Sequence, residues 1–479
     1  MKPTQRSFVI SGLAALLSAI LLYFGTGLHP LWWLTWFAIV PVLMAAARLS
    51  MGWTFAAAFV AWSLGGLNMW RYLHVDLEIP LIPVITFLVL PALWFGALVL
   101  IYRRFLRASP WRAALILPTL WVSYEFVSAR VSPHGTFGNV GYTQMDFLPL
   151  IQVASITGIW GISFCLFLFA GTASVLLSGD KGDKSLGRFG VLAALWFALI
   201  LGLGGWRMYT HSPSQNKVMV GMLASDLREN RLTSKHDDTL RLAQQYVQQA
   251  ESLAAQGAKI VVIPEKTFAI ADTDMGEVDA MFLSAARQSG AMIVMGLIHV
   301  ANDAKWNEAR LYSPAGEIKT YDKHHMLPEF ESNLTPGVSR TTWDENSGRW
   351  GMAICKDMDF PRLSREYGND GTGLLLVPAW DFDTDGWMHG RMAVLRGVES
   401  GFTIVRAPKQ GVLAVTDDAG HVVAERVTGT AAFTSLLVAA PVRHSATVYD
   451  RFGDWFAWLN VAIALWLLID SAARRRQRA

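Results

Sequence analysis

Apolar stretches long enough to cross a lipid bilayer constrain this chain more than any other feature of its sequence. Hydrophobic residues make up 52% of the 479 residues, and charged residues only 16%. A bilayer core requires about 20 consecutive apolar residues. We therefore predict a transmembrane domain with seven spans over residues 1–210, and an eighth span with a basic tail over residues 451–479. The eight segments are Phe8–Gly27, Leu31–Leu49, Trp53–Tyr72, Ile79–Tyr102, Ala113–Ser128, Phe147–Ser178, Phe189–Tyr209 and Trp455–Ile469.

The basic residues that flank these segments predict the orientation of the chain. With eight spans, every flanking basic cluster falls on one side of the membrane, as the positive-inside rule requires for the cytoplasmic side. Residues 211–450 are then extracytoplasmic. The clusters also account for the net charge of +3, so nothing indicates a nucleic-acid partner. They are Lys2 and Arg6, then Arg48, then Arg103, Arg104, Arg107 and Arg112, then Lys181, Lys184 and Arg188, and finally Arg474, Arg475, Arg476 and Arg478.

Residues 211–450 alternate apolar runs with amphipathic segments, which is typical of an α/β domain. One helix is predicted from Ser234 to Gln256, with Ser234 as its N-cap and Asp237 three residues later. Two more are predicted at Met275–Ser289, closed by Gly290, and around Met388–Ser400. The predicted strands are Lys217–Leu223, Lys259–Ile263, Ala291–Ile298, Arg310–Tyr312, Ile318–Tyr321, Trp350–Ile354, Gly373–Val377, Phe402–Arg406 and Leu436–Val442.

Three residues at the ends of predicted strands form a candidate catalytic set. Cys355 follows the apolar run Trp350–Ile354, Glu265 follows Val-Ile-Pro, and Lys323 follows Tyr-Asp. A carboxylate can take the proton of a cysteine thiol, and an ammonium group can stabilise a developing oxyanion. The three residue types therefore predict acyl transfer through a thioester on Cys355.

This order of residues resembles the carbon–nitrogen hydrolase (nitrilase) superfamily, which has an α-β-β-α sandwich fold and a Glu-Lys-Cys triad. Seven spans before such a domain and one after it resemble the bacterial apolipoprotein N-acyltransferases. More specific matches are Gly-Tyr-Thr-Gln144, the run from Gly158 to Ser163, Lys323-His-His-Met-Leu-Pro with Glu331, and Arg-Phe-Gly-Asp-Trp455. The resemblance covers essentially the whole chain and implies an α/β architecture: eight transmembrane helices plus the nitrilase-like sandwich.

Residues around the triad both follow and depart from that family. Glu331 has the family spacing from Lys323, so the resemblance implies a second carboxylate in the site; otherwise it is a solvated loop acid. The family usually has an aromatic residue and a glutamate after the cysteine, where this chain has Lys356 and Asp357. Lys356 is expected either to favour the thiolate or to face solvent, and Asp357 to orient the backbone or Lys323.

The resemblance also implies a reaction and its partners. Cys355 would take an acyl chain from a membrane phospholipid and pass it to the N-terminal amine of a diacylglyceryl-cysteine lipoprotein. No cofactor or metal is expected, since the phospholipid ester already carries an activated acyl group. The adjacent His324 and His325 do not converge as metal ligands. The expected location is the bacterial inner membrane, with a periplasmic catalytic domain, and the expected state is a monomer.

Two other functions fit parts of the sequence. One is a membrane-tethered amidase in which water takes the acyl group, because the same triad serves both reactions. The other is a transporter or receptor whose extracytoplasmic domain only binds a ligand. The spans hold few charged residues, Glu125 being an exception, and no symmetry between halves, which argues against transport.

Overall fold

The computed structural model describes residues 3–178, 184–211, 214–230, 232–301, 303–429 and 431–476. The chain divides into two compact units. The first holds the described residues up to Val131, Thr136–Tyr209 and those from Asp454 onward, and the second holds Ser132–Gly135 and Thr210–Gly453. Three basic residues of the orientation argument, Lys2, Lys181 and Arg478, lie outside the described residues.

The first unit is entirely helical in the described residues. Its long helices follow the apolar segments, and short helices form where glycine, proline and polar residues interrupt them. The helices are α1 (Pro3–Gly25), α2 (Trp32–Phe37), α3 (Val40–Ala46), α4 (Met51–Gly66), α5 (Leu81–Ala108), α6 (Pro110–Val131), α7 (Leu148–Ile151), α8 (Ala154–Thr157), α9 (Trp160–Ser178), α10 (Lys184–Thr210) and a C-terminal helix, Trp455–Arg476.

Within the described residues, five of these helices are long and apolar enough to cross a membrane: α1, α5, α9, α10 and the C-terminal helix. The second predicted span is divided into α2 and α3, and the third is the 16-residue α4 followed by a 3₁₀ turn and a π-helical turn. The fifth lies inside the 22-residue α6. The total of eight spans therefore stays a prediction.

Two buried charged side chains in the first unit bind backbone groups. The Arg103 guanidinium on α5 donates hydrogen bonds to the carbonyl oxygens of Ala46, at the end of α3, and Leu49, over 2.6–3.0 Å. Glu125 on α6 accepts a hydrogen bond from the Val140 amide at 2.9 Å. Both side chains thus pair with backbone groups that the helices leave free.

The second unit contains two β-sheets and several helices. The strands are β1 (Lys217–Ala224), β2 (Ile260–Val262), β3 (Ala269–Ala271), β4 (Met292–Val300), β5 (Lys305–Tyr312), β6 (Ile318–Asp322), β7 (Thr341–Glu345), β8 (Gly348–Met352), β9 (Thr372–Trp380), β10 (Thr403–Lys409), β11 (Val412–Thr416), β12 (Val422–Val427) and β13 (Thr434–Pro441). The helices are α11 (His236–Ala255), α12 (Asp272–Ser289), α13 (Pro328–Glu331), α14 (Pro361–Asn369), α15 (Gly386–Ser400) and α16 (Val448–Phe452).

Each sheet has parallel strands at its centre and antiparallel strands at its edges. The first sheet has the order β13-β1-β2-β4-β5-β6, with β3 also paired to β4, and the second has the order β12-β11-β10-β9-β8-β7. β1, β2 and β4 run parallel, as do β8, β9 and β10. The carboxyl ends of parallel strands form one edge of a sheet, where α/β domains bind ligands.

Apolar residues of the two sheets pack face to face and form the main core. Met222, Val262 and Val294 of the first sheet belong to the same buried cluster as Leu376 and Val405 of the second. A second cluster joins the outer face of the first sheet to α11 and α12. The helices α14 and α15 pack on strands of the second sheet, so the unit is layered α-β-β-α. The predicted α/β sandwich is confirmed.

The start of α11 was predicted wrongly. The helix begins at His236, and its N-cap is Lys235, whose side chain caps nothing, so Ser234 is not the cap. Asp237 and Asp238 lie in the first turn, where their charges favour the positive end of the helix dipole. The predicted end of α12 is confirmed, because Gly290 adopts the left-handed conformation with φ +69°.

Gly296 in β4 is a position where the fold requires the absence of a side chain. A Cβ atom there would lie 2.5 Å from the Glu265 Cα and 2.6 Å from the Pro264 carbonyl oxygen, both backbone atoms. Replacing Gly296 with Ala should therefore lower the free energy of unfolding by about 1–3 kcal/mol. Chemical denaturation of the detergent-solubilised chain measures this change.

Gly276→Ala is the matched control. Gly276 is exposed on α12, and a Cβ atom there meets nothing within 4 Å. This substitution should leave stability unchanged or raise it by up to about 1 kcal/mol, because alanine favours helix. Equal destabilisation by both substitutions would contradict the close approach of β4 to Glu265.

Candidate active site

The three predicted catalytic residues follow strands whose ends meet on one side of the second unit. Glu265 comes three residues after β2, Lys323 directly follows β6, and Cys355 comes three residues after β8. The strand before Cys355 was predicted to extend to Ile354, but it ends at Met352. Cys355 starts a 3₁₀ turn with φ +42°, a left-handed conformation that is strained for a non-glycine residue.

A buried ammonium group between two carboxylates forms the centre of the site. Lys323 Nζ donates to Glu265 Oε1 at 2.8 Å and to Glu331 Oε2 at 2.8 Å. All three side chains are at most 3% exposed. Burial alone would lower the pKa of Lys323, but the charges of Glu265 and Glu331 raise it well above its usual value. Lys323 is therefore a fixed positive charge.

Two residues that the sequence analysis missed complete this cluster. Asn307 Nδ2 donates to Glu265 Oε1 at 2.6 Å and to Glu331 Oε1 at 2.8 Å. Lys266 Nζ donates to Glu331 Oε1 at 2.7 Å. Asn307 lies mid-strand in β5, and only the pairing of β5 with β6 brings it beside Lys323, so no local motif marks it.

Glu331 lies inside the site and is not a solvated loop acid. It ends the short helix α13, and it also accepts a hydrogen bond from the Leu327 amide at 2.8 Å. Burial would raise the pKa of its carboxyl group, but Lys323 and Lys266 hold that pKa well below its usual value. Glu331 thus remains ionised and balances the charge of Lys323.

The Cys355 thiol lies within the electrostatic influence of both Glu265 and Lys323. Its sulfur lies 3.6 Å from the Trp380 carbonyl oxygen. Burial raises the pKa of the Cys355 thiol, the negative charge of Glu265 raises it further, and Lys323 and Arg406 oppose the shift. The resting form of Cys355 near neutral pH is therefore the uncharged thiol. The residue is partly exposed, so a substrate can reach it.

Asp357 connects the segment that follows Lys323 to the segment that precedes Cys355. Its carboxylate accepts hydrogen bonds from the amides of His324 at 3.2 Å, His325 at 3.0 Å and Ile354 at 3.1 Å. The Tyr321 hydroxyl donates to it at 2.7 Å. Of the two roles predicted for Asp357, orientation of the backbone matches these contacts.

Lys356 does not face solvent, in contrast to one of the two expectations. Its side chain is 7% exposed, and Nζ lies 3.4 Å from Asp359 Oδ2 and 3.3 Å from His134 Nδ1. The main influences on the Cys355 thiol are burial, Glu265, Lys323, Arg406 and Asp381, and a thiolate favoured by Lys356 stays a prediction. Lys356 pairs with an acid three residues along its own turn.

A buried ion pair and an aromatic side chain lie on the second sheet near the thiol. Arg406 in β10 donates to both oxygens of Asp381, at 2.8 and 2.5 Å, and the charges of both residues act on Cys355. The Lys409 ammonium lies 3.6 Å from the centre of the Trp380 ring and donates to the Lys266 carbonyl oxygen at 2.9 Å. The charge of Asp381 is thus balanced by Arg406 inside the protein.

Part of each unit matches the model of a known protein family. Residues 18–172 match the model of the apolipoprotein N-acyltransferase N-terminal domain, and residues 228–440 match the carbon-nitrogen hydrolase model. An apolipoprotein N-acyltransferase of Geobacter metallireducens is 26% identical, over 97% of this chain and 95% of that relative. One from Gloeobacter violaceus is 24% identical, over 99% of this chain and 88% of the relative.

A crystal structure of an amidase from Nesterenkonia sp. is similar to part of the chain. It is 19% identical, with a TM-score of 0.41, and the match covers 49% of this chain and 95% of the amidase.

The second unit is therefore a carbon–nitrogen hydrolase domain. Joined to the matching N-terminal domain, it gives the chain the domain pairing of the apolipoprotein N-acyltransferase family, and the resemblance predicted from the sequence is confirmed. With five apolar helices of membrane-spanning length among the described residues, the chain is a membrane protein.

The raised pKa of Cys355 predicts how its alkylation depends on pH. Below the thiol pKa, the reactive thiolate fraction increases about tenfold per pH unit, so iodoacetamide labelling should accelerate steadily from pH 7 to 9 without a plateau. In Glu265→Gln, labelling at each pH should be faster, because burial still raises the pKa but the negative charge of Glu265 no longer adds to the shift. Peptide mass mapping measures the rate at Cys355 separately from Cys165.

Cys165 is the internal control for this measurement. It is 1% exposed on α9 and should stay unlabelled while the chain is folded. A plateau in the labelling rate of Cys355 near pH 7 would indicate a preformed thiolate and would contradict the neutral thiol.

Proposed function

We propose that this protein is an N-acyltransferase that moves a fatty acyl chain from a membrane phospholipid to the N-terminal amine of a diacylglyceryl-cysteine lipoprotein. The observation that carries the proposal is the buried hydrogen bond of Lys323 with Glu265, whose charges both act on the Cys355 thiol. The names of the full-length relatives support the substrate class.

In the first step, the Cys355 sulfur attacks the ester carbonyl carbon of the phospholipid. Since the resting thiol is uncharged, Glu265 must accept its proton as the S–C bond forms. Lys323 and the backbone N–H of Lys356 stabilise the tetrahedral oxyanion. The C–O bond then breaks, Glu265 returns its proton to the departing alkoxide, and lysophospholipid leaves an acyl thioester on Cys355.

In the second step, the uncharged amine of the lipoprotein attacks the thioester carbonyl carbon. Lys323 again stabilises the oxyanion, and Glu265 takes a proton from the attacking nitrogen. The C–S bond breaks, and the proton on Glu265 passes to the Cys355 sulfur, which restores the starting thiol. An amide forms that is much less reactive than the thioester, so the transfer proceeds without ATP, metal or coenzyme.

Glu331, Asn307 and Asp357 act as positioning residues in this proposal. Glu331 shares the Lys323 ammonium, so that one carboxylate remains to balance Lys323 when Glu265 becomes protonated. Asn307 holds Glu265 and Glu331 at a fixed separation. Asp357 fixes the backbone beside both Lys323 and Cys355.

We place the chain in the bacterial inner membrane, with residues 1–210 and the C-terminal helix in the bilayer. The region 211–450 then forms the periplasmic catalytic domain, and residues 451–479 the last span and its cytoplasmic tail. The limits of the second unit, Thr210 and Gly453, support this division, and the flanking basic residues support the orientation. The working unit is a monomer, since one chain holds all the proposed catalytic residues.

The proposal predicts an acyl adduct on Cys355. The detergent-purified protein, incubated with phosphatidylethanolamine, should gain the mass of one acyl chain and release lysophospholipid, and hydroxylamine should remove the adduct. Glu265→Gln should slow adduct formation by about 10²- to 10⁴-fold, the usual contribution of a general base. Intact-mass spectrometry over time measures the rate.

Cys355→Ala and Cys165→Ala form the matched pair for this experiment. The first should form no adduct, and the second should behave as the unmodified protein. Failure of the unmodified protein to form the adduct, or an adduct that persists in Cys355→Ala, would refute the proposed chemistry.

Glu331 should be required for the rate of the first step. Glu331→Gln leaves Glu265 as the remaining negative partner of both Lys323 and Lys266, so both ammonium groups should bind Glu265 more strongly and make it a weaker base. The weaker general base should slow the step by about 10²-fold. The rate of adduct formation on Cys355 measures it.

Glu329→Gln on the same short helix is the control for Glu331→Gln. Glu329 is more exposed, and its carboxylate lies 3.3 Å from His134 Nε2. This variant should retain nearly the full rate. Equal rates for the two variants would show that Glu331 does not act through Lys323.

A further inference from the structure

Two histidines and an aspartate outside the active site converge at one end of the second sheet. His211 directly follows α10 in the sequence, and Asp417 and His421 flank the turn between β11 and β12. One nitrogen of each histidine and one carboxylate oxygen of Asp417 all lie within 4.8 Å of one another. The side chains of His211 and Asp417 are mostly buried, and that of His421 is 40% exposed.

One carboxylate oxygen of Asp417 binds backbone amides of the turn, and the other lies close to both histidines. Asp417 Oδ1 accepts hydrogen bonds from the amides of Ala419 and His421, both at 2.9 Å. Asp417 Oδ2 lies 3.0 Å from His421 Nδ1 and 3.3 Å from His211 Nε2. The backbone thus fixes the carboxylate, and its second oxygen lies close to one nitrogen of each histidine.

A second acid increases the negative charge beside these ligands. Asp418 Oδ1 lies 3.4 Å from His211 Nε2, and Asp418 is 2% exposed. Its other oxygen accepts a hydrogen bond from the Ser445 hydroxyl at 2.6 Å and lies 3.6 Å from Arg443 Nε. Asp418 is therefore held in place by groups other than His211.

Two of the three distances between the ligand atoms are close to the edge of a tetrahedral coordination shell, and the third is at most 4.8 Å. Bonds of 2.0–2.1 Å to nitrogen and oxygen place neighbouring ligands about 3.3 Å apart, close to the 3.3 Å between His211 and Asp417. Two imidazoles favour zinc-like ions over magnesium or calcium. We propose that His211, Asp417 and His421 bind a first-row divalent cation, zinc being the best match, with the fourth position open to water.

The proposed cation lies away from the catalytic residues and has a structural role. Lys409, which donates to the Lys266 carbonyl oxygen, ends β10, and β11 begins close to it. Asp417 follows the opposite end of β11, about 15 Å from the start of that strand. A cation bound by His211, Asp417 and His421 would link the segment before β1 to the turn between β11 and β12. Its loss should lower stability and leave the chemistry at Cys355 in place.

Zinc affinity of the full chain tests this proposal. The detergent-purified protein, prepared without a histidine tag and stripped with chelator, should bind one zinc ion per chain in a competition titration with a chromogenic chelator. His421→Ala and Asp417→Asn should each weaken binding by at least about 100-fold, since loss of an outer-shell partner alone costs 10- to 100-fold. Asparagine retains one side-chain oxygen that can accept the hydrogen bonds of the Ala419 and His421 amides, so Asp417→Asn should still fold.

His236→Ala is the control. His236 is an exposed histidine on α11 that lies near Asp274 and Glu277, and its loss should leave zinc affinity unchanged. Zinc should also raise the thermal midpoint of the unmodified chain and have no such effect on Asp417→Asn. No bound zinc, or equal affinity in Asp417→Asn and the unmodified protein, would overturn the proposal, whatever the result for acylation of Cys355.

Discussion

The ion cluster of Lys323 with Glu265 and Glu331 is the interaction on which the rest of the active site depends. A buried ammonium group is costly unless carboxylates compensate it, and removing one partner of such a cluster costs about 3–5 kcal/mol. Here two carboxylates, Lys266 and the Asn307 amide surround the Lys323 charge in a closed network. This network joins the residues that follow β2 and β6 to β5 and α13, so the positions of Glu265 and Lys323 are fixed by several elements.

The same cluster explains why a neutral thiol is compatible with catalysis. Glu265 raises the pKa of Cys355, and in the proposed mechanism Glu265 also accepts the thiol proton while the sulfur attacks the carbonyl carbon, so no preformed thiolate is required. Backbone strain at Cys355 and at Lys266, with φ +42° and +49°, is held by the surrounding hydrogen bonds. Asp357 couples the two halves of the site, since it binds amides next to Lys323 and next to Cys355.

Hydrophobic periodicity predicted most strands and helices and the polar residues that follow the strands, because these are local signals, whereas the α-β-β-α layering was implied by the resemblance to the carbon–nitrogen hydrolases. Asn307 could not be predicted, since its role depends on the register of β5 with β6. The contact of Lys356 with His134 could not be predicted either, because the two residues lie 222 positions apart in the sequence. The N-cap of α11 was predicted at Ser234, because Ser234 and Asp237 fit a capping motif, but the N-cap is Lys235. The proximity of His211 and His421 could not be predicted either, because these residues lie far apart in the sequence.

The most direct test of the account is a chase of the acyl thioester on Cys355. The protein is loaded with phosphatidylethanolamine, freed of excess lipid, and divided between buffer alone and buffer with a diacylglyceryl-cysteine peptide. We predict that the adduct persists in buffer, and that the peptide removes it while gaining one amide-linked acyl chain. Loss of the adduct at the same rate in both samples, with free fatty acid as the product, would contradict acyl transfer and indicate a hydrolase.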